Sequence, residues 1–120
     1  LRPQEMITAV RIPAADKTTR VGFAELARRH GDYAIVGLAA SARGKGKGLA
    51  DVRLVFFGVG DTPVRAKKAE AALADGDIEA AVKALDLDPN DDIQATAKTK
   101  KHLAGVLLRR VAKQLMEARA

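Results

Sequence analysis

An α+β fold is predicted for this chain: an antiparallel sheet of three to four strands, followed by three helices packed on one face. Three observations point there. Apolar residues in the first half alternate with a period of two, as in a half-buried strand. In the second half they recur every three to four residues, between capping residues and glycines. The order is strands first and helices second, which favours a sheet covered by helices over alternating βαβ units. With 120 residues, 48% hydrophobic and 30% charged, the chain fits one domain with a single core.

Residues 5–12, "EMITAVRI", alternate and are expected to form the first strand, with Met6, Thr8, Val10 and Ile12 on one side. Pro13 ends it by removing a donor. Residues 14–21 are expected to be a polar loop. "GFAELARRHGDYA" is ambiguous: its alanine, leucine, glutamate and arginine favour helix, but Gly22 and Gly31 leave little room for one. "YAIVGLAASAR" suits a strand packed on both faces. "GKGKG", residues 44–48, is a flexible turn. "ADVRLVFFGVG" is the clearest strand, with Val52, Leu54 and Phe56 facing the helical layer and Leu107 and Val111 as their expected partners.

The strand is expected to end near Gly60, and a helix to start at Pro63 with Thr62 as its cap. Ala66, Ala69, Ala72 and Leu73 give that helix a narrow apolar stripe. Gly76 stops it, and Asp77 caps the next helix, 78–86. A loop, "DLDPNDD", leads to the last helix, near 95–118, whose stripe is Leu103, Val106, Leu107, Val111, Leu115 and Ala118.

The absence of cysteine excludes disulfides and thiolate metal sites and is compatible with a reducing, cytoplasmic location. No apolar run approaches the roughly 20 residues that span a bilayer. No signal peptide is visible. The first residue is Leu1 and the chain enters almost directly into a strand pattern, as a piece of a longer polypeptide would.

The net charge of +6 is local. Seven basic residues and one acid lie from Thr96 onward, against 14 of each sign before it. A basic helix can bind phosphates, or it can be a solvated face or meet an acidic partner. With three phenylalanines and one tyrosine, base stacking has little material, so nucleic acid is not the expected partner.

Catalytic and ligand motifs are sparse. "GVGDTP" lacks the lysine and Ser/Thr of a phosphate-binding loop, and Asp61 would repel phosphate. It is read as a corner between strand and helix, without a ligand. "GKGKG" is read as a solvated hairpin turn. His30 and His102 have no neighbours at metal-ligand spacing. Asp91 and Asp92 are read as capping residues before the last helix. "RRHGD", residues 28–32, is read as a turn in which Arg29 pairs with Asp32, or Asp32 accepts backbone N–H bonds, ahead of a catalytic role.

The order of motifs carries a resemblance. "EMITAVRIP", "GFAELARRHGDYAIVGLAASA", "DVRLVFFGVGDTPVRAKKAEAAL" and "DDIQATAKTKKHLAGVLLRR" together resemble the C-terminal domain of the FAD-binding medium subunit of molybdenum hydroxylases. That group includes aerobic carbon monoxide dehydrogenase and the xanthine dehydrogenases. The most specific pieces are Arg29, Asp32 and Ala34, and the corner from Gly58 to Ala66. The resemblance implies the CO dehydrogenase flavoprotein C-terminal domain fold, with "FAELARR" as a strand near 22–28. It implies FAD in lobes absent from these 120 residues, and an iron–sulfur small subunit and a molybdenum large subunit as partners. The chain itself would be non-catalytic, one domain that helps to enclose FAD and to assemble the complex; a homodimer stays open.

By the same resemblance Ile7 matches an apolar position near the isoalloxazine, and Glu25 stands where the family often carries a lysine that reaches the flavin side. Thr99 and Lys100 stand where the family tends to have Tyr-Arg, a possible partner contact with the guanidinium fork lost. The competing reading is an independent basic binding module, for nucleic acid or an acidic protein, that uses the C-terminal helix.

Overall fold

The computed structural model describes residues 1–46 and 48–117. Four strands, β1 (Thr19–Leu26), β2 (Val36–Lys45), β3 (Gly48–Phe57) and β4 (Val64–Arg65), precede three helices, α1 (Lys67–Ala74), α2 (Ile78–Lys83) and α3 (Ala97–Glu117). The sheet is antiparallel throughout, in the order β1-β2-β3-β4. All three helices belong to the core on one face, so the predicted α+β architecture is observed.

Alternation decides what goes inside. Val36, Leu38, Ala40 and Ala42 of β2 and Val52, Leu54 and Phe56 of β3 are buried, and meet Ala69 and Leu73 of α1 and Leu107, Leu108, Val111 and Leu115 of α3 in one cluster. The helices divide the sheet between them: α1 covers β3, and α3 lies along β2 and β1. Phe56 is fully buried as expected. The layer over β3 is mainly α1, and not α3 with Leu107 and Val111 as anticipated.

Four local expectations are corrected. Residues 5–12 are not a strand: no regular element precedes Thr19, and Met6, Ile7, Val10 and Ile12 are all exposed. Alternation supplies a strand's side-chain pattern, but a strand also needs a neighbour for its backbone groups. β1 begins at Thr19 and ends at Leu26, taking in three residues of the expected loop. Its far end closes where Ile35 N–H donates to the Leu26 carbonyl at 2.7 Å.

β3 ends at Phe57, short of Gly60, because Gly58 turns the chain at φ +75°. A Cβ there would lie 2.6 Å from the Ile35 carbonyl oxygen, so the corner needs glycine for both its dihedral and its space. The chain then returns as β4, with Val64 opposite Phe56 and Arg65 opposite Val55. The helix therefore starts at Lys67 rather than Pro63, and Thr62 caps nothing; its N-cap position, Ala66, has no side-chain cap.

The remaining helices follow the sequence more closely. Asp77 caps α2, accepting from the Ala80 N–H at 2.8 Å, although the helix stops at Lys83. α3 starts at Ala97, and Leu107, Val111 and Leu115 of its expected stripe are buried; Ala118 lies outside the described residues.

Candidate functional site

The sheet face that carries no helix is the surface with material for recognition. Register places Val21, Ser41 and Arg53 in one cross-strand row. Phe23, Ala39 and Val55 form the next, and Glu25, Gly37 and Phe57 the third. The far end of the Phe57 ring sits over Gly37, where any Cβ would collide with it. From that seat it stacks on Phe23, with ring centroids 6.0 Å apart and planes 20° from parallel. Phe23 is 56% exposed and Val21 69% exposed. An apolar, partly aromatic centre is thus bordered by Glu25 and Arg53, a pattern of exposed patch that marks interaction surfaces.

The edges of the sheet are less available. The Gln114 side-chain carbonyl accepts from the Phe23 N–H at 3.2 Å. Gly22 lets α3 approach β1 closely, since a Cβ there would lie 2.8 Å from Val111 Cγ1. The Arg20 guanidinium donates to the Leu115 and Met116 carbonyls at 2.9 and 3.2 Å, capping the end of α3. At the opposite edge β4 offers two residues. Covered and very short edges discourage strand addition, which leaves the face for docking.

At one end of that face the chain before β1 borders an open hollow of about 700 Å³, lined by Ile12, Pro13, Val21, Arg43, Asp51 and Arg53 among others. Asp16 fixes this approach. Its carboxylate accepts from the Thr18 hydroxyl and N–H at 2.6 and 2.8 Å and forms an ion pair with Arg43. Those Thr18 bonds, with help from Thr19 and Arg43, lower its pKa to about 2.

The sequence-derived candidates fall in separate places. Glu25 faces outward on β1, opposite Gly37, with no ion pair among the described residues. Ile7 is 62% exposed in the irregular segment before β1. Asp32 accepts from the Tyr33 N–H at 2.9 Å and lies 3.5 Å from Arg29 and 3.8 Å from Arg28. It therefore makes both contacts expected of it. Asp92 accepts from the Gln94 and Ala95 N–H groups, and Asp91 from that of Ala97, as residues preceding a helix do.

Lys100 is 5% exposed, and its ammonium meets Asp92 at 2.6 Å. That contact is within the chain, at the position where the family tends to carry an arginine. The Lys100 bond, then the two N–H groups, hold the Asp92 pKa down at about 2. Lys101 and Arg109 are likewise paired, with Asp88 and Glu79, so the basic excess of α3 is partly neutralised internally.

The hollow beside Gly58 and Gly60 is lined by Asp61, Asp91 and Asp92 as well as Lys100, a poor setting for phosphate. Among the described residues no cluster of His, Asp and Glu could hold a metal ion, and no helix is long and apolar enough to cross a membrane.

Residues 22–115 match the CO dehydrogenase flavoprotein C-terminal domain. The chain belongs to that family. It is 33% identical to the 6-hydroxypseudooxynicotine dehydrogenase complex subunit alpha of Paenarthrobacter nicotinovorans, over 98% of the chain and 43% of that subunit. It is 30% identical to the caffeine dehydrogenase subunit beta of a Pseudomonas species, over 92% of the chain and 40% of that subunit. In structure it is similar to carbon monoxide dehydrogenase from Hydrogenophaga pseudoflava, with a TM-score of 0.83 and 29% identity, over 91% of the chain and 40% of the matched one. The corresponding TM-score for CO dehydrogenase from Oligotropha carboxidovorans is 0.80, at 26% identity over 91% of the chain and 40% of its counterpart. The chain thus spans less than half the length of these relatives.

The sequence reading did not single out Gly37 as the seat of Phe57. The signal was there: a glycine inside a strand marks a close approach, but the approaching group lies 20 residues away, on the neighbouring strand. Glu70 was missed for a similar reason. It is a carboxylate in a helical pattern whose function is to bind the backbone of β3, and nothing local to it says so.

Proposed function

We propose that this chain is the C-terminal domain of the FAD-carrying subunit of a molybdenum hydroxylase-type dehydrogenase. In that role it helps to enclose the flavin and to assemble the subunit with its iron–sulfur and molybdenum partners, and performs no chemistry of its own. The observation that carries this reading is the match of residues 22–115, together with the agreement in fold, to the flavoprotein C-terminal domain.

The described residues of this chain do not make a complete site for FAD by themselves. The glycine corner is acid-lined, its Gly58 space is taken by the Ile35 carbonyl, and no side-chain polar atom stands buried and unpartnered among the described residues. A pyrophosphate needs donors that the described residues do not gather. The cofactor is therefore assigned to other lobes, and this domain contributes at most a wall beside it. Glu25, on the open face, and Ile7, before β1, are the residues we assign to that wall. Glu25 adds a negative charge where the family often has a lysine, so it would oppose added negative charge on a neighbouring flavin.

Equilibrium dialysis of the purified chain against FAD tests the assignment. The expected result is no stoichiometric yellow complex. One FAD held per chain would place the cofactor site within these residues and overturn it.

A further inference from the structure

The outer face of α3 carries cations that the domain leaves without partners. Three of the six lysines and arginines in this helix are paired within the chain: Lys100 with Asp92, Lys101 with Asp88 and Arg109 with Glu79. The other three, Lys98, Arg110 and Lys113, are exposed and form no ion pair among the described residues. At 3.6 residues per turn they fall within about a third of the helix circumference, opposite the buried row of Ala104, Leu107, Val111 and Leu115. Val106, half-buried, lies midway along this stripe. At 1.5 Å per residue the stripe runs about 22 Å from Lys98 to Lys113.

The stability of the domain does not account for these charges. A cation in the first turn opposes the helix dipole, and α3 has Lys98 there and no acid. Lys100 and Lys101 beside it are compensated by Asp92 and Asp88, whereas Lys98 is not. Arg110 and Lys113 stand three residues apart, as neighbours on the helix surface, with no acid paired to either among the described residues. Both arrangements cost the helix stability, and both are relieved by negative charge from outside. The stripe also points away from the open face of the sheet, since the helices lie on the other face. A partner on α3 therefore does not compete with lobes that cover the open face.

We propose that the outer face of α3 docks an acidic protein surface, a row of carboxylates of matching length on a partner subunit. That the partner is a subunit rests on the role proposed above; its acidity rests on the stripe. Lys98, Arg110 and Lys113 set approach and register, and Val106 supplies an apolar contact between them. Complementary charge of this kind speeds encounter and rejects wrong partners, and its effect weakens as salt rises. A protein is favoured over nucleic acid because α3 offers no Phe, Tyr or Trp on which bases could stack.

Carbodiimide cross-linking of the FAD-carrying subunit, co-expressed with its iron–sulfur and molybdenum partners, tests the proposal. Zero-length amide links are expected from Lys98 and Lys113 to aspartate or glutamate of a partner subunit. The combined variant Lys98→Glu, Arg110→Glu and Lys113→Glu should lose that partner on size exclusion at physiological salt, with FAD per subunit unchanged. Reversals at Lys45 in β2 and Lys67 in α1 should leave the complex intact, with thermal melts verifying that each variant is folded. An intact FAD-bearing complex that gives no such links, or that survives the triple reversal, overturns the docking surface alone. A parent subunit that assembles with neither partner overturns the subunit role and the docking surface with it. A labelled duplex that the parent retains at physiological salt and the triple variant releases would assign the stripe to nucleic acid, and also overturns the proposal.

Discussion

The Glu70 carboxylate accepts a hydrogen bond from the Leu54 N–H of β3 at 2.9 Å, joining the first helix to the middle of the sheet. The same carboxylate receives Arg65 at 2.7 and 2.8 Å, so one buried side chain holds β3, β4 and α1 together. Burial pushes its pKa up, but the bonds from Arg65 and Leu54, with the charges of Arg65 and Arg53, more than offset this and hold it below the ordinary value. Glu70→Ala leaves the Leu54 N–H without a partner and is expected to cost about 1.5–3 kcal/mol, the range for a hydrogen bond to a charged group. Glu70→Gln keeps an acceptor and should cost less. Urea titrations of the two variants measure the difference; equal losses would mean that the helix contact, not the carboxylate, carries the effect.

Phenylalanine truncation should separate the two faces of the sheet. Phe56 is fully buried under α1, and Phe56→Ala is expected to cost about 3–5 kcal/mol. Phe23 lies on the open face, and Phe23→Ala should stay within about 1 kcal/mol of the parent, since it forfeits mainly the stack on Phe57. Similar melting temperatures for the two variants would contradict the assignment of faces.

Two cap substitutions distinguish the observed corner from the one the sequence suggested. Thr62→Ala should be neutral within about 0.5 kcal/mol, as at an ordinary surface position, because α1 starts five residues later. Asp77→Ala should cost about 0.5–2 kcal/mol, because Asp77 caps α2. Chemical denaturation of both variants decides the matter, and a larger loss at Thr62 would restore the helix start at Pro63.

Acid stability should depend on Asp92. Its pKa falls from the ordinary 3.8 to about 2 in the folded chain. A lowered folded-state pKa contributes stability above the unfolded value, and that contribution is lost as pH falls from about 4 towards about 2. The melting-temperature gap between the parent chain and Asp92→Asn should therefore be full at neutral pH and close as pH approaches 2. A gap that is unchanged across this window would mean that the Lys100 pair does not set the titration.

The parts legible in the sequence were those decided locally. Alternation placed Val52, Leu54 and Phe56 inside, Asp77 announced its helix, and the arrangement of strands before helices gave the layers. Features decided by a distant neighbour were not legible. "EMITAVRI" has a strand's pattern but no ladder partner. "FAELARR" has helix formers, yet pairing with β2 makes it β1 through Leu26; only the family resemblance pointed that way. Pro63 looks like a helix start until β3 captures Val64 and Arg65. For the site, Glu25 could be placed on a strand, but that it borders an aromatic pair depends on a register that no single segment encodes.

The role proposed for this domain is tested most directly by exchange into a relative. The matching C-terminal domain of the 6-hydroxypseudooxynicotine dehydrogenase complex subunit alpha would be replaced by this chain, and FAD content per subunit measured after purification beside the unaltered and truncated forms. The expected result is that the exchanged subunit retains FAD at the level of the unaltered form, while the truncated subunit loses it. A folded exchanged subunit with no more FAD than the truncated one would contradict the account.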